Sequence, residues 1–152
     1  MIKISIDAVP SSNNKYQGQG SKNKAIKEYQ AEKGTWKQWI WVQRHLLKTA
    51  GELPPGLPYQ EATIIMHYHF RTKTRRDPDN YSGKFILDGL KENGFIADDS
   101  FANVDIFPLA DFGNVRDSVD IYVINAKQLS GFVRKLLQIH GQAANTGESG
   151  SE

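Results

Sequence analysis

Interleaved strand and helix patterns predict a small α/β protein of the α+β kind, with about four strands packed against two to three helices. Three observations carry this. Four short runs alternate apolar and polar residues, as half-buried strands do. Between them lie apolar stripes at helical spacing. Pro/Gly-rich punctuation separates the runs.

A chain of 152 residues is long enough for one core and one domain. We assign residues 1–140 to that domain and read residues 141–152, small and polar, as a disordered tail. No run of 18 apolar residues exists, so no transmembrane helix is expected. The absence of cysteine excludes disulfides and thiolate metal sites, and fits a reducing, cytoplasmic location.

Net charge is only +2, but it is polarised. Residues 1–60 hold nine Lys/Arg against four Asp/Glu, whereas residues 97–120 hold six Asp and one Arg. A basic approach thus leads to an acidic centre.

The first strand spans residues 2–8, with Ile2, Ile4, Ile6 and Ala8 on one side. Pro10-Ser11-Ser12-Asn13-Asn14 ends it with turn chemistry. Residues 15–24, beginning at Lys15, are polar and basic, and read either as a phosphate-contacting loop or as a solvated one. A helix over 24–33 is expected to break at Gly34, with Thr35 capping a second helix over 36–50. That helix carries Trp36, Trp39, Ile40, Val42, Leu46 and Leu47 as a core or interface stripe, with Trp41 beside it.

Residues 61–70 form the next strand. His67 and His69 share one of its faces. Hard cations among carboxylates rarely need imidazole, so a place beside phosphates or plain packing is expected for both.

The stretch 71–99 organises the rest. Arg71, Lys73, Arg75 and Arg76 put four positive charges in six residues. Asp77, Asp79 and Asn80 follow directly. A helix over 78–91 carries Lys84 and Asp88, Glu92-Asn93-Gly94 ends it, and Asp98-Asp99 closes the stretch. Basic residues attract phosphate, but clustered carboxylates repel it unless a divalent cation sits among them. Together they point to metal-assisted phosphodiester cleavage. Simpler accounts stay open for single residues. Asp77 before Pro78 is a good helix cap, and Lys84 with Asp88 is an i,i+4 surface pair. An EF-hand is excluded, because Ser82 stands where that loop requires glycine.

Residues 103–109 and 118–125 alternate again and suggest a hairpin, with Pro108 marking an edge. A terminal helix over 128–139 would present one apolar stripe.

The run RRDPDNYSGKFILDGLKENGFIADDS resembles the central motif of the RusA-type Holliday-junction resolvases: basic residues, Asp-x-Asp-Asn, a lysine, an aspartate, a glycine turn, then Asp-Asp. Residues 10–16 resemble that family's first loop, and His69 falls where the family tends to place a histidine. The resemblance implies a small mixed sheet, a homodimer, and Mg²⁺-dependent cleavage of four-way DNA junctions with one or two ions. By position, Asp77, Asp79 and Asp99 would be catalytic metal ligands and Lys84 the catalytic lysine. Asp88, Asp98 and Asn80 would support them. Arg71, Lys73, Arg75, Arg76, His69 and Lys15 would contact DNA. One departure is that Lys84 lies four residues after Asn80, where some members have three. The alternative expectation is a non-catalytic nucleic-acid-binding module using the basic run, with the aspartates as caps.

Overall fold

The computed structural model describes residues 1–16, 22–81 and 83–129. The tail and nearly all of the expected terminal helix lie outside the described residues, as do residues 17–21 of the basic loop. The architecture is mixed α+β: a four-stranded sheet with helices packed on one face.

Strand β1 (Ile2–Ile6) alternates buried and exposed, as its sequence dictates. Residues 13–16 form a 3₁₀ turn, and α1 (Lys22–Thr49) follows. Contrary to the expected break, α1 is continuous through Gly34. A mid-helix glycine costs only ~1 kcal/mol, and the packing of Trp36 and Ile40, both almost fully buried, outweighs it. Thr35 caps nothing; its hydroxyl donates to the Ala31 carbonyl one turn back, at 3.0 Å. The rest of the apolar stripe is more exposed than expected, with Trp41 and Leu46 about half open.

Strand β2 (Ala62–Phe70) is followed by a 3₁₀ turn (Pro78–Tyr81), α2 (Lys84–Glu92) and β3 (Val104–Phe112). β3 lies parallel to β2, so β2, α2 and β3 form a crossover unit. Strand β4 (Ser118–Asn125) is antiparallel to β2 on the other side, giving the order β1-β4-β2-β3. The expected hairpin of residues 103–109 with 118–125 is therefore corrected: β2 lies between them. The burial patterns give the reason. β2 and β4 have no fully exposed residue and belong in the middle, whereas β3 is largely exposed and contains Pro108, which lacks an N–H and suits the edge.

The helix expected over 78–91 is also shorter. Gly83 adopts a left-handed conformation (φ +70°), and a Cβ there would collide with the sulfur of Met66. The chain turns sharply at that point, and α2 starts only at Lys84. From there Phe85, Ile86, Leu87 and Leu90 pack into the core with Ile4, Ile64, Met66 and Ile121. Each contributes on the order of 1.5–3 kcal/mol through burial. The C-terminal end follows expectation: Asn93 caps it and Gly94 has φ +70°. No helix among the described residues is long and apolar enough to cross a membrane.

Candidate functional site

The first loop and the acidic turn, more than sixty residues apart in sequence, meet. The Asn13 side-chain amide donates to the Asp79 carbonyl at 3.0 Å. Glu32 on α1 anchors the loop from behind. It accepts from the Ser11 backbone N–H at 2.7 Å and from the Tyr16 hydroxyl. Burial pushes the Glu32 carboxyl up, but these hydrogen bonds outweigh it and hold the group below its ordinary value. Burial and Glu32 together push the Tyr16 hydroxyl up to about 12. Tyr16 also packs edge-on to Tyr29 and Phe85, fixing the loop to both helices. A cavity of about 260 Å³ opens between the parts, lined by Ser11, Asn13, Tyr16, Tyr81, Gly83 and Lys84.

The 3₁₀ turn presents Asp77 and Asp79 to solvent. Proline at its start needs no N–H there, and the Asn80 N–H closes the turn on the Asp77 carbonyl at 3.0 Å. Asp77 accepts from Arg75 at 3.3 Å, an exposed pair of little energetic weight. Arg71, Lys73 and Arg75 are exposed and can meet a backbone phosphate. Arg76 is turned inward: its guanidinium donates to the Thr72 and Thr74 carbonyls and lies 4.0 Å from the Phe70 ring centre. It braces the basic segment. Lys15 stands beside Ser11 at 3.2 Å and near Glu32 at 3.8 Å, on the rim of the loop.

Lys84 opens α2 with its side chain 59 % exposed and its ammonium 3.8 Å from Asp88. Asp88 is a buried acid, and Lys33 of α1 approaches it as well, at 3.4 Å. The i,i+4 reading of Lys84 and Asp88 was incomplete, because Asp88 sits under two lysines from two helices and steadies Lys84 over the cavity.

The late pair is elsewhere. Asp99 accepts from Lys91 at 2.7 Å and Asp98 lies 3.5 Å from the same ammonium, at the far end of α2. Lys91 holds the Asp99 carboxyl below the usual carboxylate range. Nine helical residues span about 13 Å, and among the described residues Asp77, Asp79 and Asp99 do not gather into one cluster. The expected three-acid cradle is thus not formed within a single chain. Asp77 and Asp79 alone still suit Mg²⁺, which takes one or two carboxylates and completes its shell with water and phosphate oxygens.

Buried Tyr68 and Phe70 face the helices, so His67 and His69 lie on the opposite face of the sheet. His69 contacts Asp111 at 3.0 Å and Asp120 at 3.2 Å. Sequence reasoning missed Glu32, Lys33, Asp111 and Asp120. Each acts across the fold, and none has a local pattern that singles it out. Neither a protein-family model nor a curated protein matches the chain.

Proposed function

We propose that this chain is a Mg²⁺-dependent endonuclease that resolves four-way DNA junctions by paired symmetrical nicks, in DNA recombination and repair in the cytoplasm. The observation that carries this reading is the meeting of the 10–16 loop with the turn that bears Asp79, through Asn13, next to a cavity lined by Tyr81 and Lys84, with exposed basic residues directly before the turn. The likeness of the 75–100 run to the resolvase motif supports it further.

In this reading Asp77 and Asp79 hold the ion. Bound there, Mg²⁺ would activate a water and offset charge on the scissile phosphate. Lys84, steadied by Asp88, meets charge developing on the phosphate or leaving oxygen. Arg71, Lys73 and Arg75 hold flanking phosphates and fix the strand's register without reading bases. Asn13 and Lys15 close the loop side of the groove.

Within the chain Asp99 pairs with Lys91 and does not join Asp77 and Asp79 in one cluster of ligand atoms. A two-fold homodimer is the arrangement that can set one protomer's Asp77 and Asp79 opposite Asp99 of the partner subunit. It also matches the symmetry of a junction cut twice. The deciding experiment incubates the protein with a synthetic four-way junction, with and without Mg²⁺. Paired nicks that require Mg²⁺ are expected. Mixing Asp79→Asn and Asp99→Asn chains should restore nicking that neither has alone; absence of restoration would remove the shared site.

The second reading is a nucleic-acid-binding module without catalysis. The pairing of Asp99 with Lys91, at 2.7 Å, favours it, since that acid already has a cation of its own chain against it. It expects junction binding without any nicking at any Mg²⁺ concentration.

A further inference from the structure

We propose that His67, His69 and Asp111 form a binding site for a borderline divalent transition metal, Zn²⁺ above all, on the sheet face opposite the helices. This site shares no residue with Asp77, Asp79 or Lys84, and it asks for a different class of ion.

The backbone builds it. His67 and His69 are two apart on β2, so both project from the same face. Asp111 is the direct cross-strand partner of His69 on β3. One ligand atom from each of the three lies within 4.8 Å of the others. His67 Nε2 is 3.1 Å from Asp111 Oδ2, and His69 Nδ1 is 3.0 Å from Asp111 Oδ1. A tetrahedral zinc site with bonds of about 2.0–2.1 Å places neighbouring ligand atoms about 3.3 Å apart. The two separations to Asp111 are thus within a few tenths of an ångström of that spacing, and the two histidine nitrogens lie within 4.8 Å of each other.

The donor set fixes the class. Two imidazoles and one carboxylate suit Zn²⁺ and its transition-metal neighbours, whereas Mg²⁺ prefers oxygen alone. Three protein ligands leave a fourth position for water or an anion.

An independent feature is the ring of groups behind the ligands. His69 Nε2 faces Asp120 at 3.2 Å, leaving Nδ1 toward Asp111. Asp120 is itself held by Ser5 at 2.6 Å and Lys3 at 3.3 Å. Asn114 donates to Asp111 Oδ1 at 2.6 Å. A carboxylate behind a histidine fixes which nitrogen binds metal and raises its basicity. A histidine that merely packs on a strand needs no such support. Asp120 is thus a positioning residue for the site.

The test titrates the full-length protein with Co²⁺ as a visible probe and then with Zn²⁺, in excess Mg²⁺. One Co²⁺ per chain is expected, with the visible absorption of a low-coordinate site, and Zn²⁺ should abolish that absorption by displacement. His67→Gln, His69→Asn and Asp111→Asn should each weaken Zn²⁺ binding at least tenfold. Asp120→Asn should weaken it about tenfold while leaving one ion per chain. Asp79→Asn should leave it unchanged, which separates this site from the proposed nuclease centre. No uptake at micromolar Zn²⁺ by the unaltered chain would overturn the proposal. Uptake that survives both His67→Gln and Asp111→Asn, in chains shown to be folded by circular dichroism, would do the same.

Discussion

The two ends of α2 each carry a pair of aspartates, and they are treated oppositely. At the N-terminal end Asp77 and Asp79 face solvent, with one weak arginine contact. At the C-terminal end Asp98 and Asp99 close on Lys91, a cation from the helix itself. The sequence spelling is nearly the same, Asp-Pro-Asp against Asp-Asp. The difference lies in what each end is fastened to. A loop held by a distant strand and helix leaves the first pair open, whereas a lysine two turns or less away satisfies the second. An acid pair whose only counter-charge is an exposed, weak arginine contact is the one better prepared for an external cation.

Four experiments break or sharpen that contrast. The largest effect is expected from Asp79→Asn, which removes a carboxylate from the open end. Junction nicking should fall on the order of 100-fold or more, while gel-shift binding of the junction persists. Equal nicking by this variant would equate the two ends.

Next is Gly83→Ala, which acts on the bend that separates the open turn from α2. The left-handed conformation disfavours a Cβ by roughly 1–2 kcal/mol, and the clash with Met66 adds to that. Urea denaturation should show a loss of about 2 kcal/mol or more. Pairing it with Met66→Ala should remove the steric part and leave the backbone part.

A smaller effect concerns pH. The Glu32 carboxyl is held below its ordinary value of 4.5 in the fold. Its stabilising contribution is therefore complete above that value and is lost as pH falls through the lower folded-state value. Melting temperature measured across this acid range should drop more steeply in the unaltered chain than in Glu32→Gln. The same variant should loosen the 10–16 loop, seen as faster amide exchange at Ser11.

The smallest effect is expected from Lys91→Met at the closed end. Without that ammonium the Asp99 carboxyl should rise toward its ordinary value, since Lys91 is the main cause of its depression. Carboxyl carbon NMR during an acid titration reads this directly. An unmoved Asp99 would mean that Lys91 does not close this end.

Alternation and apolar spacing along the chain determined strands near 2–8, 61–70, 103–109 and 118–125, the buried stripe of α2 and the edge position of Pro108, although β1 stops at Ile6 and β3 runs on to Phe112. These depend on neighbours two to four residues apart, which a sequence displays. The order of the strands was not visible, because β2 reaches its place between β3 and β4 only by competition for the buried middle of the sheet. Nor was the continuity of α1 through Gly34, since the compensating burial of Trp36 and Ile40 comes from α2 and the sheet. For the site, residue types in the 71–99 stretch spelled out acid, base and cation. Which acids stay open, which lysine closes on Asp99, and that His69 meets Asp111 and Asp120 were decided by tertiary structure alone, although alternation already placed His69 on the face opposite Tyr68 and Phe70. Charge is legible one residue at a time. The partner that neutralises it, or leaves it free, is fixed by distances that the fold sets between remote segments.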